Sequence, residues 1–238
     1  GGNGTKESPF KKIQQAADIA LPGDEVIVAP GVYREYVNPK NGGTADKPIV
    51  YRSETLKAAH ITGAESIKNW EKVEGNVYKA SVSNSIFGDY NPFTTLVSGD
   101  WFIAYMIAHT GDVYLNGKSM YEVTELGKIK NPEIYKASWD QAFTVYTWYT
   151  EQDTAKNETV IYANFQGKDP NTEDVEISVR RNCFLPSEMH KDYITLSGFT
   201  VSKAATQWAP PTAYQEGMIG PHWSKGWVIE NCHIFESK

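Results

Sequence analysis

Only two cysteines occur in 238 residues, too few for the disulfide framework by which small secreted domains make up for a thin core. Cys183 and Cys232 are read instead as two small buried hydrophobes. Clusters of positive charge are missing as well. The net charge is −6 and lysine and arginine are scattered, which argues against nucleic acid and against an anionic membrane surface as partners. No apolar run is long enough to span a bilayer, and the N-terminus carries no signal-peptide pattern. The chain begins Gly-Gly rather than with methionine, the mark of a processed or engineered start, so the residence of the protein is open and a bacterial periplasm or secretion stays compatible with it. Phosphate loop, dinucleotide fingerprint, zinc-ligand spacing and nucleophile elbow are all lacking. Neither cofactor nor metal is therefore expected. What is present is a 40% hydrophobic chain that can bury a substantial core and suits a neutral partner.

The C-terminal part contains a repeat. Setting Ile194–Val201 (ITLSGFTV) against Trp227–Ile234 (WVIENCHI) aligns Ile194 with Trp227, Leu196 with Ile229, Phe199 with Cys232 and Val201 with Ile234, 33 residues apart. Apolar positions alternate on both sides of one break, where Gly198 faces Asn231. Glycine and asparagine most easily take the left-handed conformation a sharp corner needs. Strand, corner, strand describes one coil of a right-handed parallel β-helix. Weaker copies lie earlier, in EVIVAPGVYRE and PIVYRSE, with Val26 and Ile49 spaced by 23 residues, about one coil of a short-repeat solenoid. The longer spacing near the C-terminus then contains an insertion, of the kind solenoids collect on a binding face.

The N-terminus has the pattern of a plug for such a solenoid. Ser8 is placed to cap a helix starting at Pro9, and Phe10, Ile13, Ala17, Ala20 and Leu21 fall on one face before Pro22-Gly23 stops it. Residues 83–190 break the repeat. A turn at Asn116-Gly117 and two aromatic or β-branched runs within YTWYTEQDTAKNETVIYANF signal antiparallel hairpins. Val175, Ile177 and Val179 are expected inward, with Glu176, Ser178 and Arg180 outward. The expected class is thus all-β: a cap and first coils over residues 1–82, an inserted antiparallel β-sandwich-like subdomain over 83–190, and the solenoid resumed over 191–238.

The insertion before the last coil holds most of the candidate chemistry. Trp208 and Trp223 flank it and would offer aromatic faces to the C–H face of a pyranose, or else pin the loop to the coil beneath. Pro210-Pro211 stiffens the loop. Gln215 and His222 are its neutral hydrogen-bonding groups, suited to sugar hydroxyls, with a purely local bond the alternative for His222. In FGDYNPF, Asp89 and Tyr90 are candidates for the same groove or parts of a plain turn; Glu188 and His190 are weaker candidates of the same kind. No carboxylate in the chain is assigned a catalytic role.

SPFKKIQQAADIALPGDEVIVAPGVYRE, NSIFGDYNPF, GDVYLNGKSMYEV, TVIYANFQGKDPN and, most specifically, WAPPTAYQEGMIGPHWSKGWVIENCHI together resemble the N-terminal part of β-xylosidases of glycoside hydrolase family 120, from about Gly4 to Lys238. The resemblance implies a β-helix interrupted by a β-sandwich, and release of xylose from xylo-oligosaccharides with retained configuration. Retention calls for two carboxyl groups roughly 5 Å apart, and the resemblance implies an aspartate nucleophile and a glutamate acid on coils beyond Lys238. An oligosaccharide is accordingly the expected substrate, with this chain inactive alone and self-associating through its last coil into a homo-oligomer. Two other classes remain: a polysaccharide lyase on the same solenoid, and a non-catalytic carbohydrate-binding β-helix.

Overall fold

The computed structural model of the chain describes residues 1–98, 107–206 and 216–238. These are mostly strand, with short helices, and they group into two compact units. The first unit takes in Gly1–Gly63, Arg180–Thr206 and the described residues up to Ser237; the second is Ala64–Val179. In the first unit the chain forms α1 (Ile13–Ala17), β1 (Glu25–Val28), β2 (Gly31–Arg34), β3 (Ile49–Ser53) and β4 (Ala59–Thr62). The second unit contributes β5 (Ala64–Ser66), β6 (Glu71–Glu74), β7 (Val77–Ser83), β8 (Val113–Leu115), β9 (Lys118–Ser119), β10 (Tyr121–Glu122), α2 (Leu126–Lys130), β11 (Thr147–Asp153), β12 (Glu158–Asn164) and β13 (Val175–Ser178). Back in the first unit follow β14 (Ile194–Ser197), β15 (Thr200–Ser202), β16 (Val228–Glu230) and β17 (His233–Phe235).

Unit one consists of parallel strands stacked in the same order on two sheets. One runs β1-β3-β14-β16 and the other β2-β4-β15-β17, each pairing parallel throughout. A third row is marked by parallel bridges from Val37 to Phe184 and from Phe184 to Ile219. Alternation sends Ile49, Tyr51, Ile194 and Leu196 inward from the first sheet and Ile61 and Val201 from the second, into one shared core with Phe184 and Phe199. The repeat at residues 194–201 and 227–234 has the expected register: Leu196 pairs with Ile229 and Val201 with Ile234. Gly198 and Asn231 take φ of 75° and 55° at the corner, and the Gly198 N–H donates to the carbonyl of Glu230. The earlier register differs from the sequence reading. Val26 pairs with Tyr51, two residues beyond Ile49. A slip of two leaves every side chain on the same face, so period-two alternation is blind to it.

The N-terminal helix is shorter than expected. Only residues 13–17 form a helix, starting after Lys12 rather than Ser8. Its cap comes from far along the chain: the Glu35 carboxylate accepts from the Ile13 N–H at 2.9 Å and from the Gln14 N–H at 3.0 Å. A carboxylate at a helix N-terminus both pairs otherwise unsatisfied donors and meets the positive end of the helix dipole. Ile13, Ala17 and Ala20 join the core of the first unit, whereas Leu21 is exposed. Both cysteines are free thiols. Cys183 is fully buried in that core, which pushes its thiol up to about 12, and Cys232 packs against it.

Unit two has two sheets, β10-β11-β12-β7-β6 and β5-β13-β8-β9. Trp148, Ile161, Ala80 and Val82 from the first share one apolar cluster with Val113, Leu115, Val175 and Ile177 from the second. Aromatic edges lock it, with Phe93 against Trp148 at 5.6 Å and Trp70 against Phe165 at 5.1 Å between centroids. The hairpin at Asn116-Gly117 forms with φ of 52° and 80°, the left-handed pair a two-residue type I′ turn needs. Pairing is antiparallel except between β10 and β11. Two details depart from the sequence reading. Glu176 and Ser178, expected outward, are buried, and burial is tolerated at Ser178 because its Oγ accepts from the Asp112 N–H at 2.7 Å. The boundary placed at residue 82 falls inside β7, whose whole length pairs with β12, so the units divide after Gly63 and again after Val179.

Replacing Glu35 by alanine strands two donors at a covered helix end. The expected loss is about 1–3 kcal/mol of stability in urea unfolding, while Ser8→Ala should change it by less than roughly 0.5 kcal/mol. Equal effects would refute the remote cap.

Candidate functional site

On the first unit, the segment leading into β16 is clamped to residues 186–193. His190 N–H donates to the His222 carbonyl at 3.2 Å, Tyr193 N–H to the Lys225 carbonyl at 2.9 Å, and Lys225 N–H to Asp192 Oδ1 at 3.0 Å. The Trp227 indole N–H donates to the Lys191 carbonyl at 2.8 Å, while its ring meets the edge of Phe184 at 6.1 Å. His222 Nδ1 lies 3.1 Å from the Pro186 carbonyl, an acceptor only, so Nδ1 carries the proton. The local bond foreseen for this histidine is therefore present. Trp223 follows with φ of 47° and 65% of its surface exposed. A bulky residue held at positive φ is strained and signals a constraint; here the constraint presents an aromatic ring to solvent.

Beside this segment Arg181 Nε pairs with Glu216 Oε2 at 3.1 Å. The Tyr36 hydroxyl donates to the Leu185 carbonyl at 2.6 Å, and burial, helped by the charge of Glu216, pushes it up to about 12. Glu230 accepts from Ser197 Oγ at 3.0 Å. Glu188 is exposed and ion-paired to Lys191 at 2.6 Å, which holds its carboxyl below the usual range.

The other sequence candidates fall elsewhere. Trp208, Pro210, Pro211 and Gln215 lie outside the described residues. Asp89 and Tyr90 belong to the second unit, in the turn after a short 3-10 helix over Asn84–Phe87. Asp89 is exposed. The Tyr90 hydroxyl donates to Thr110 Oγ1 at 2.7 Å, and Asn91 bonds Thr159 and the Phe93 N–H, which makes the turn a structured one. Of the six proposed contacts, the structure thus brings His222 and Trp223 together on one segment.

Sequence reasoning passed over a second group. In unit two a cavity of about 370 Å³ is lined by Thr94, Leu96, Ile107, His109, Glu122, Val123, Thr124, Tyr149 and Thr150. His109 Nδ1 lies 2.5 Å from Glu122 Oε1, and its backbone N–H donates to Oε2 at 2.9 Å. The hairpin at Asn116-Gly117 folds residues 109 and 122 back towards one another, but no motif in the sequence marks the pair. Nearby, Asp112 is buried, accepting from Ser119 Oγ and from the Val113 N–H. Burial pushes its carboxyl above the usual range against the opposing pull of the Lys238 charge and these bonds. Among the described residues no three histidine, cysteine or acidic side chains gather as a metal site.

With this geometry in place, comparison with known proteins is informative. Residues 67–177 match the family model described as glycoside hydrolase 120, insertion domain. A solved structure, the complex of XylC with xylose, is 49% identical with a TM-score of 0.94 and covers 100% of this chain; this chain spans 39% of it. A chain described as a glycoside hydrolase is 13% identical with a TM-score of 0.51, covering 85% of this chain and 49% of its own, a likeness of fold alone. An uncharacterized protein of Bacillus subtilis (strain 168), YwoF, is 38% identical over 68 residues, 29% of this chain and 14% of that protein. The chain is therefore similar to glycoside hydrolases, and its second unit to an insertion domain of family 120.

A raised folded-state value for Asp112 fixes the sign of its pH effect. The folded state holds the proton more tightly, so its stabilising contribution is complete below the ordinary aspartate value and is lost as pH rises through the folded one. Asp112→Asn, which mimics the protonated form, should lose less thermal stability than the parent between pH 4 and pH 7. Superimposable pH profiles would remove Asp112 from the account.

Proposed function

We propose that this chain forms the first turns of a right-handed parallel β-helix in a retaining β-xylosidase of glycoside hydrolase family 120, with the second unit as an insertion between turns. The observation that carries the reading is the 49% identity, over all of this chain, to a protein whose structure holds xylose. The insertion-domain match over residues 67–177 supports it, as do two sheets that each take strands in the same parallel order.

In this reading the chain supplies one wall of the sugar site. Trp223, exposed at a strained φ, is the aromatic platform, and His222 is the hydrogen-bonding group beside it. His222, its Nδ1 turned to the Pro186 carbonyl, orients a sugar hydroxyl in this reading. The carboxylate pair that retention needs lies outside this chain. Glu216 is committed to Arg181 and Glu230 to Ser197. The substrate is a neutral xylo-oligosaccharide.

Purified chain should bind xylotriose in calorimetry without releasing xylose from it, and Trp223→Ala should weaken binding roughly tenfold, the scale of a tryptophan anchor. Turnover abolished by substituting an acid within residues 1–238 would overturn the division of labour.

A further inference from the structure

The cavity of the second unit has a lining of unusual balance. Among the described residues it is lined by no lysine or arginine and by one carboxylate, Glu122, which is engaged at both oxygens by His109. An anionic ligand would find no counter-charge there, and a cation would have to compete with the histidine for the acid. The remaining polar groups are the hydroxyls of three threonines and a tyrosine, set among Leu96, Ile107 and Val123. Mixed apolar and hydroxyl-bonding walls suit a neutral ligand that has one C–H face and several hydroxyls.

His109 gives the site its directional group. Its Nδ1 faces a carboxylate oxygen and so carries a proton, which leaves Nε2 as an acceptor in the neutral ring. Among the described residues Nε2 makes no hydrogen bond and is not sealed from solvent. The side chain is 18% exposed and that of Glu122 11%. A histidine oriented by a carboxylate, with its second nitrogen left open in a cavity, is built to receive a hydroxyl. Tyr149, on β11 and tilted against Tyr162 at 6.3 Å, adds an aromatic wall beside it.

We propose that this cavity is a second carbohydrate subsite, taking a single pyranose unit of a neutral oligosaccharide through His109 Nε2 and Tyr149. The choice of sugar as ligand rests on the glycosidase reading above; the cavity and its dyad do not. In this role unit two binds substrate independently of the wall formed by His222 and Trp223.

The test follows the imidazole resonances of the parent chain by long-range ¹H–¹⁵N NMR during titration with xylobiose, with glycerol as a control. The expected result is a saturable shift at His109 Nε2, absent with glycerol. His109→Asn keeps a donor near the Nδ1 position for Glu122 and deletes Nε2; it should unfold at the same temperature as the parent and lose cavity affinity roughly tenfold, the worth of one well-made hydrogen bond. Shifts at His222 without any at His109 overturn the subsite and leave the proposed function standing. Shifts at His109 alone support the subsite and count against the wall. No shift at either histidine overturns both, and an equal response to glycerol overturns the sugar class.

Discussion

Phe184 is the constraint on which the first unit depends. Its backbone bridges Val37 on one side and Ile219 on the other. Its ring meets Tyr51 at 5.0 Å and Trp227 at 6.1 Å, both edge-on. Through these contacts one buried side chain joins the inward column of β3, the third row of bridges and the residue that starts the last pass. Edge-to-face pairs add about 0.5–1.5 kcal/mol each beyond the area they bury, but position matters more here than energy. The segment bearing His222 and Trp223 is held at Ile219 before it and at Trp227 after it. A strained backbone at Trp223 persists only because both ends are fixed.

The second unit solves a different problem. In β13 a sequence that alternates Val175, Glu176, Ile177 and Ser178 yields four buried residues, two of them polar. Polar groups covered in this way need partners. Ser178 and Asp112 supply them to each other through the backbone, and Ser119 returns a hydroxyl to the Asp112 carboxyl. The burial that accompanies this network is also what raises the Asp112 carboxyl above the usual range.

How much of this was legible in the sequence depends on the range of the interaction. The corner at Gly198 and Asn231 and the turn at Asn116-Gly117 were readable because positive φ restricts the residue type at the position itself. The inward columns were readable because alternation is local. The register of Val26 against Tyr51 was not, since a slip of two changes no side chain's face. Glu35 could not be recognised as a helix cap, because nothing near Ile13 announces a partner 22 residues away. The His109–Glu122 pair was invisible for the same reason, as it needs the hairpin folded before its chemistry exists. Family resemblance went further than residue patterns on activity, and the identity to XylC supports it at the level of glycoside hydrolase.

The remote cap on α1 also orders events in time. A helix of five residues is far below the length at which a helix holds together unaided, and its first two N–H groups find their acceptor only once β2 has delivered Glu35. The plug therefore cannot act as a nucleus for the strands behind it. It depends on them instead: its helical form is only as secure as the placement of a carboxylate 22 residues further along the chain.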